Sequence, residues 1–102
     1  MKKNNIILVG FMGSGKTTIA RCLSKDLQLK WIDTDKMIET SSGKKISELF
    51  KHSEAYFRSW ETTICKSITR YNNTIISTGG GIVTNKKSRD ILKKTGWIIH
   101  LD

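Results

Sequence analysis

Apolar residues in this chain fall into short unbroken runs, separated by stretches in which they recur every three or four positions. The run "NIILV", residues 5–9, is nearly continuous, the pattern of a strand buried on both faces. Ile19, Leu23 and Leu27 then follow one another every four residues with Ala20 beside them, which predicts a helix over about Lys16 to Leu27. "LKWID" (29–33) reads as a second short strand, and "TDKMIET" as a short helix stopped by "SSG" at 41–43. Ile46 to His52 predicts another turn or two of helix. Ser53 is placed to cap the next one, with Glu54 near the positive end of its dipole. Phe57, Trp60, Ile64 and Ile68 lie along one face of that helix. "TIIST" (74–78) is a third buried strand running into "GGG". Asn85 is placed to cap a helix through Lys94, and Gly96 separates it from a fourth strand, "WIIHL" (97–101).

Strands alternating with helices imply an α/β fold, a parallel sheet joined by right-handed crossovers with helices on both faces. The length of 102 residues implies a single domain over 1–102, and no internal repeat or low-complexity linker interrupts it. The chain stops at Asp102 directly after the fourth strand. A parallel sheet is normally covered on both faces, so the expectation is a fold truncated after that strand and incomplete at its C-terminus.

Composition narrows the class. Hydrophobic residues at 37% with 26% charged fit a soluble globular chain. The longest apolar stretch, Ile6 to Met12, is already broken by Gly10, so no membrane partner is expected. The start "MKKNNIILVG" has a basic then an apolar portion, but it runs into glycines with no small-residue cleavage pattern; a cytoplasmic location is expected. Eighteen Lys and Arg against nine Asp and Glu give a net charge of +9, which raises a nucleic-acid reading. Yet Lys2–Lys3, Lys44–Lys45, Lys86–Lys87 and Lys93–Lys94 are scattered pairs that form no stripe. Solvated faces on a protein with anionic ligands, and no nucleic-acid partner, are the expectation. Cys22 and Cys65 stand inside predicted helices, far from any CxxC or Cys/His spacing, and are expected to be buried reduced thiols.

The chemistry begins at "GFMGSGKT" (Gly10 to Thr17), which matches G-x-x-x-x-G-K-[ST] in full, with a strand before it and a helix after. Glycines let main-chain N–H groups approach phosphate oxygens, and those groups converge on a helix N-terminus that already favours anions. Lys16 adds a full charge that can follow a transferring phosphoryl group. Thr17 offers a hydroxyl to Mg²⁺, and Thr18 a donor to a neighbouring phosphate. The loop is a cradle for a nucleoside triphosphate.

"DTD" lies at the carboxyl end of the second strand, on the ligand edge of an open α/β sheet. Two residues apart on an extended chain, Asp33 and Asp35 would point to one side. Asp33 could hold Mg²⁺ directly or through water. Asp35 could accept hydrogen bonds from substrate hydroxyls and take the proton of the attacking one; the competing reading is a mere cap for the next helix. Arg58 and Glu61, three apart in "FRSWE", form an ordinary helix-surface pair by spacing alone. The functional alternative has Glu61 orienting Arg58 to grip a carboxylate in bidentate fashion. "STGGG" ends the third strand on the same edge without an acidic residue, implying that a ligand meets main-chain N–H groups there.

Taken together, "GFMGSGKTT", "DTD", "FRSWE" and "TGGG", in this order and spacing, closely resemble the shikimate kinase family across essentially the whole chain. The resemblance implies a P-loop fold like that of nucleoside-monophosphate kinases. It also implies transfer of the ATP γ-phosphate to the 3-hydroxyl of shikimate, with ATP and Mg²⁺ as cofactors, in the route to aromatic amino acids. By that likeness Gly13, Ser14, Gly15, Lys16, Thr17 and Thr18 bind the ATP phosphates, and Thr17 with Asp33 manages Mg²⁺. Lys16 and Asp35 serve the chemistry, and Asp35, Arg58, Gly79, Gly80 and Gly81 bind shikimate, Gly80 most of all. Family members continue with a lid arginine, a further strand and helices, a second shikimate-binding arginine and an adenine-contacting loop. One alternative is a remnant that binds nucleotide phosphate without turnover. Another is a kinase for a different hydroxy acid, such as gluconate, against which "DTD" with "FRSWE" argues. A monomer is expected, with association of shortened chains as the other outcome.

Overall fold

The computed structural model describes residues 4–10, 15–79 and 86–101. Its elements run β1 (Asn5–Gly10), α1 (Lys16–Leu27), β2 (Lys30–Asp33), α2 (Thr34–Ser42), α3 (Ile46–His52), α4 (Glu54–Ile68), β3 (Thr74–Ser77), α5 (Lys86–Thr95) and β4 (Gly96–Leu101). The strands make one sheet in the order β2-β3-β1-β4, every neighbouring pair parallel. The parallel α/β architecture expected from the alternation is therefore present.

Strand alternation divides the core in two. Ile7, Val9 and Ile76 face one side and meet Ile38, Leu49, Phe57, Ile64, Cys65, Ile68 and Leu92 from the helices. Leu8 and Ile75 face the other and meet Ala20 of α1. Removing one such isoleucine or leucine side chain from water is worth about 1.5–3 kcal/mol, so the short runs of sequence hold the sheet by burial on both faces. Helix ends follow local chemistry. Ser53 accepts from Tyr56 N at 2.9 Å, as a cap should. Gly43, at φ 73°, closes α2 with its N–H on Glu39 O.

One buried polar side chain stitches the far end of the sheet. Asn5 is fully buried at the start of β1. Its Nδ2 donates to Tyr71 O and Thr95 O, each at 2.9 Å, and its Oδ1 accepts from Thr74 N at 3.0 Å. That single amide joins the chain after α4, the first residue of β3 and the end of α5.

The structure corrects several sequence expectations. Cys22 is exposed on α1 rather than buried; Cys65 is buried, and burial pushes its thiol up to about 11, which keeps it protonated. Leu27, read as part of the α1 stripe, is 50% exposed. On α4 the fully covered face holds Glu61 and Cys65 with Phe57, Ile64 and Ile68, while Trp60 is half-buried. β2 begins at Lys30, β3 ends at Ser77, and Gly96 belongs to β4. Asn85, the expected cap of α5, lies outside the described residues.

Candidate active site

The site is built where the carboxyl ends of β1, β2 and β3 meet the start of α1. Gly15, at φ 86°, precedes α1 in the left-handed region that a side chain strains to adopt. Its carbonyl accepts from Ile19 N at 2.9 Å, so the helix starts directly at Lys16. From that first position Lys16 reaches across the sheet end, and its Nζ donates to Thr78 O at 2.6 Å. Thr78 is itself fixed to β1: its N and its Oγ1 both donate to Leu8 O, each at 3.0 Å. The lysine charge is thus held at the joint between β1 and β3. Thr17 and Thr18 are exposed beside it on the first turn of α1.

β2 delivers the carboxylates, but not along an extended chain. Asp33 is the cap of α2, its Oδ1 accepting from Asp35 N at 2.9 Å and from Lys36 N at 3.3 Å. The capping role weighed for Asp35 therefore belongs to Asp33, and Asp35 sits in the first turn of the helix. Turning into α2 brings Asp35 over to β3 instead of leaving it parallel to Asp33. Burial first, then the Asp33 charge, pushes the Asp35 carboxyl above the usual carboxylate range; Lys16 draws it partly back, and Glu39 pushes it up again. Lys16, Asp33 and Asp35 therefore act on one another electrostatically.

Arg58 and Glu61 stand on α4 nearby. Arg58 Nη1 donates to Glu61 Oε1 at 2.7 Å, and Nη2 lies 3.4 Å from Glu54 Oε1. Glu61 is buried whereas Arg58 is half-buried, so the acid is a fixed post and the guanidinium leans from it toward solvent. Burial pushes the Glu61 carboxyl up, the Arg58 hydrogen bond and charge pull it down, and the Asp35 charge raises it. That last influence marks Arg58–Glu61 and Asp35 as parts of one neighbourhood. The guanidinium keeps N–H donors beyond those on Glu61 and Glu54.

Among the described residues no three His, Cys, Asp or Glu side chains gather into a cation cage. Mg²⁺ bound with nucleotide phosphates needs only one or two protein oxygens and keeps several waters. Asp33, with Oδ1 on the α2 backbone and a second oxygen besides, together with the exposed Thr17 hydroxyl, fits that modest demand.

Lys16, Asp33, Asp35 and Gly79 are thus brought to one end of the sheet, with Thr17 and Thr18 on the adjoining turn, and Arg58 is tied to them only through Glu61, on which the Asp35 charge acts. Gly13, Ser14, Gly80 and Gly81 lie outside the described residues. Two residues escaped the sequence reading. Thr34, fully buried, accepts from Gly79 N at 3.2 Å through its hydroxyl, and the Thr78 carbonyl anchors Lys16. For Thr34 the signal was its place between two acids in "DTD"; for Thr78 only a folded sheet could tell.

Known proteins resemble this chain in sequence and in fold. The family described as shikimate kinase matches residues 12–102. The shikimate kinase of Clostridium beijerinckii is 43% identical over 100 residues, 98% of this chain and 59% of that protein. Its counterpart in Clostridium botulinum strain Eklund 17B is 46% identical over 98% of this chain and 61% of its own. The solved shikimate kinase from Acinetobacter baumannii, in complex with shikimate, superposes with a TM-score of 0.92 at 37% identity, covering 97% of this chain and 56% of that one. The chain spans about 60% of the length of the curated relatives it matches. Among the described residues no helix is long and apolar enough to cross a membrane.

Proposed function

The chain belongs to the shikimate kinase family, and from that premise we propose that it is a small-molecule kinase passing the γ-phosphoryl group of ATP to the 3-hydroxyl of shikimate. The observation that carries this reading is the meeting of two groups on adjoining residues. Lys16 binds the carbonyl of Thr78, and the Asp35 carboxylate lies against Gly79. A cation for the transferring phosphoryl group and a base for the attacking hydroxyl are thereby within one small space.

ATP with Mg²⁺ supplies an electrophilic phosphorus whose negative charge is partly neutralised. Lys16 turns from Thr78 to the phosphate oxygens, where it stabilises the charge that builds as the bond to the leaving oxygen breaks. Asp35 accepts a hydrogen bond from the substrate hydroxyl and takes its proton as the oxygen attacks phosphorus. Its raised affinity for a proton makes it a better acceptor than an ordinary aspartate. Arg58, steadied by buried Glu61, presents its remaining donors to the substrate carboxylate. Thr17 and Asp33 offer oxygens to Mg²⁺ or its waters.

The test is shikimate-dependent ADP release from MgATP by this chain, with Lys16→Ala as control. Release that vanishes in the control is expected. The sequence spans about 60% of its relatives' length, and a second reading for this span by itself is nucleotide-phosphate binding without turnover. A folded chain that binds MgATP yet releases no ADP would favour that reading and set the first aside.

A further inference from the structure

Gly79 has no conformational reason to be glycine. Its φ lies outside the left-handed region, which among the described glycines holds only Gly15 and Gly43. A Cβ at Gly79 would nevertheless stand 2.5 Å from Asp35 Oδ1, closer than two such atoms approach, and a tight 3.0 Å from Oδ2. The atoms nearest to that missing side chain all belong to the Asp35 carboxyl group. The residue's N–H is also committed, to Thr34 Oγ1 at 3.2 Å.

We infer that Gly79 and Thr34 are positioning residues for Asp35. The absent side chain opens the seat in which the carboxylate lies, and the amide-to-hydroxyl bond fixes the start of α2 against the end of β3. The backbone at this point cannot retreat, because Thr78 is bonded to Leu8 O through both N and Oγ1. Any side chain at Gly79 therefore moves the carboxylate, the free end of a rotatable group, and not the sheet. The sequence leads one to expect a ligand against main-chain N–H groups in the 79–81 turn, Gly80 most of all. At Gly79 that N–H is used internally, and a ligand gains from this residue only the placement of Asp35. That Asp35 meets a substrate hydroxyl rests on the kinase reading; the seat itself does not.

The test uses the whole chain and needs no ligand for its first arm. Crystal structures of the parent, Gly79→Ala, Thr34→Val and Thr34→Ser read where the Asp35 carboxylate lies. In Gly79→Ala the carboxylate should swing away from residue 79 while Thr78 keeps both bonds to Leu8 O. Thr34→Val should let it leave the same seat, and Thr34→Ser, which keeps the hydroxyl, should hold it as in the parent. A carboxylate unmoved in Gly79→Ala overturns the inference; should that variant fail to fold, identical carboxylate positions in Thr34→Val and Thr34→Ser overturn it instead. In the second arm, Gly79→Ala should weaken shikimate binding by about tenfold to a hundredfold, as misplacement of a reacting group does. In an Asp35→Ala background the same change should cost nothing further. Equal losses in both backgrounds overturn the inference. A parent chain that binds no shikimate removes the kinase reading and leaves the carboxylate positions to decide.

Discussion

At the scale of single residues, the most consequential quantity is the charge on Asp35. Its carboxyl holds a proton more tightly in the folded chain than in the unfolded one, because burial and Asp33 outweigh Lys16. As pH rises from the ordinary aspartate range, near about 4, through the folded midpoint, the unfolded chain gives up its proton first and stability falls. Asp35→Asn removes that cost. At pH 7 the variant should melt above the parent, and the gap should close as the pH drops below about 4, while shikimate binding weakens. Thermal unfolding across pH with calorimetric binding checks both halves; equal melting temperatures at pH 7 would mean that Lys16 compensates fully. Lys16 and Asp35 were legible in the sequence because a lysine after three glycines and two acids around a threonine have few other uses. The roles of Thr34 and Gly79 were not, since they arise from an approach between residues 45 apart in the chain.

At the scale of elements, Asn5 does for the far end of the sheet what no apolar residue could. Asn5→Leu keeps the branching of the side chain but leaves one buried N–H and two carbonyls without their partner. An unsatisfied buried group costs about 1–3 kcal/mol, so the loss should be about 3 kcal/mol or more in a denaturant titration. Asn5→Asp should be worse at pH 7 although it is nearly isosteric, because it turns a carboxylate oxygen toward the Tyr71 and Thr95 carbonyls. An Asn5→Asp chain as stable as the parent would show that those two bonds contribute nothing. The hydrophobic run beginning at Asn5 predicted a strand correctly but gave no sign of this junction. Caps and apolar periods located the helices well because they are local signals. They failed at Leu27 for a geometric reason. A spacing of four overshoots a helical turn by about 40° at each step, so the third residue of the series has rotated off the buried face.

For the molecule as a whole, the +9 charge and the ligand site make separate demands. The phosphate site proposed at the start of α1 is confined to one helix end, whereas the paired lysines are spread along the chain. MgATP affinity should accordingly fall only modestly between about 50 and 200 mM salt. Affinity for random duplex DNA, drawn by diffuse charge alone, should fall about 10³-fold or more over that range. Fluorescence anisotropy with labelled nucleotide and labelled duplex measures both, and a steep loss for the nucleotide would move its binding out of the loop and onto the general surface field. The parallel sheet was legible from the alternation of runs and helical stretches; its strand order was not, because nothing local in the sequence tells β1 which strands will flank it.

That order sets a schedule. β1 is made before the other three described strands, yet it lies between β3 and β4, and Asn5 closes on partners 69 and 90 residues further along. The strand made earliest is therefore completed last. Such distant pairings make for slow folding. Until β4 emerges, the apolar "IILV" segment lacks one of its two neighbours, and its open edge is exposed to wrong pairing during synthesis.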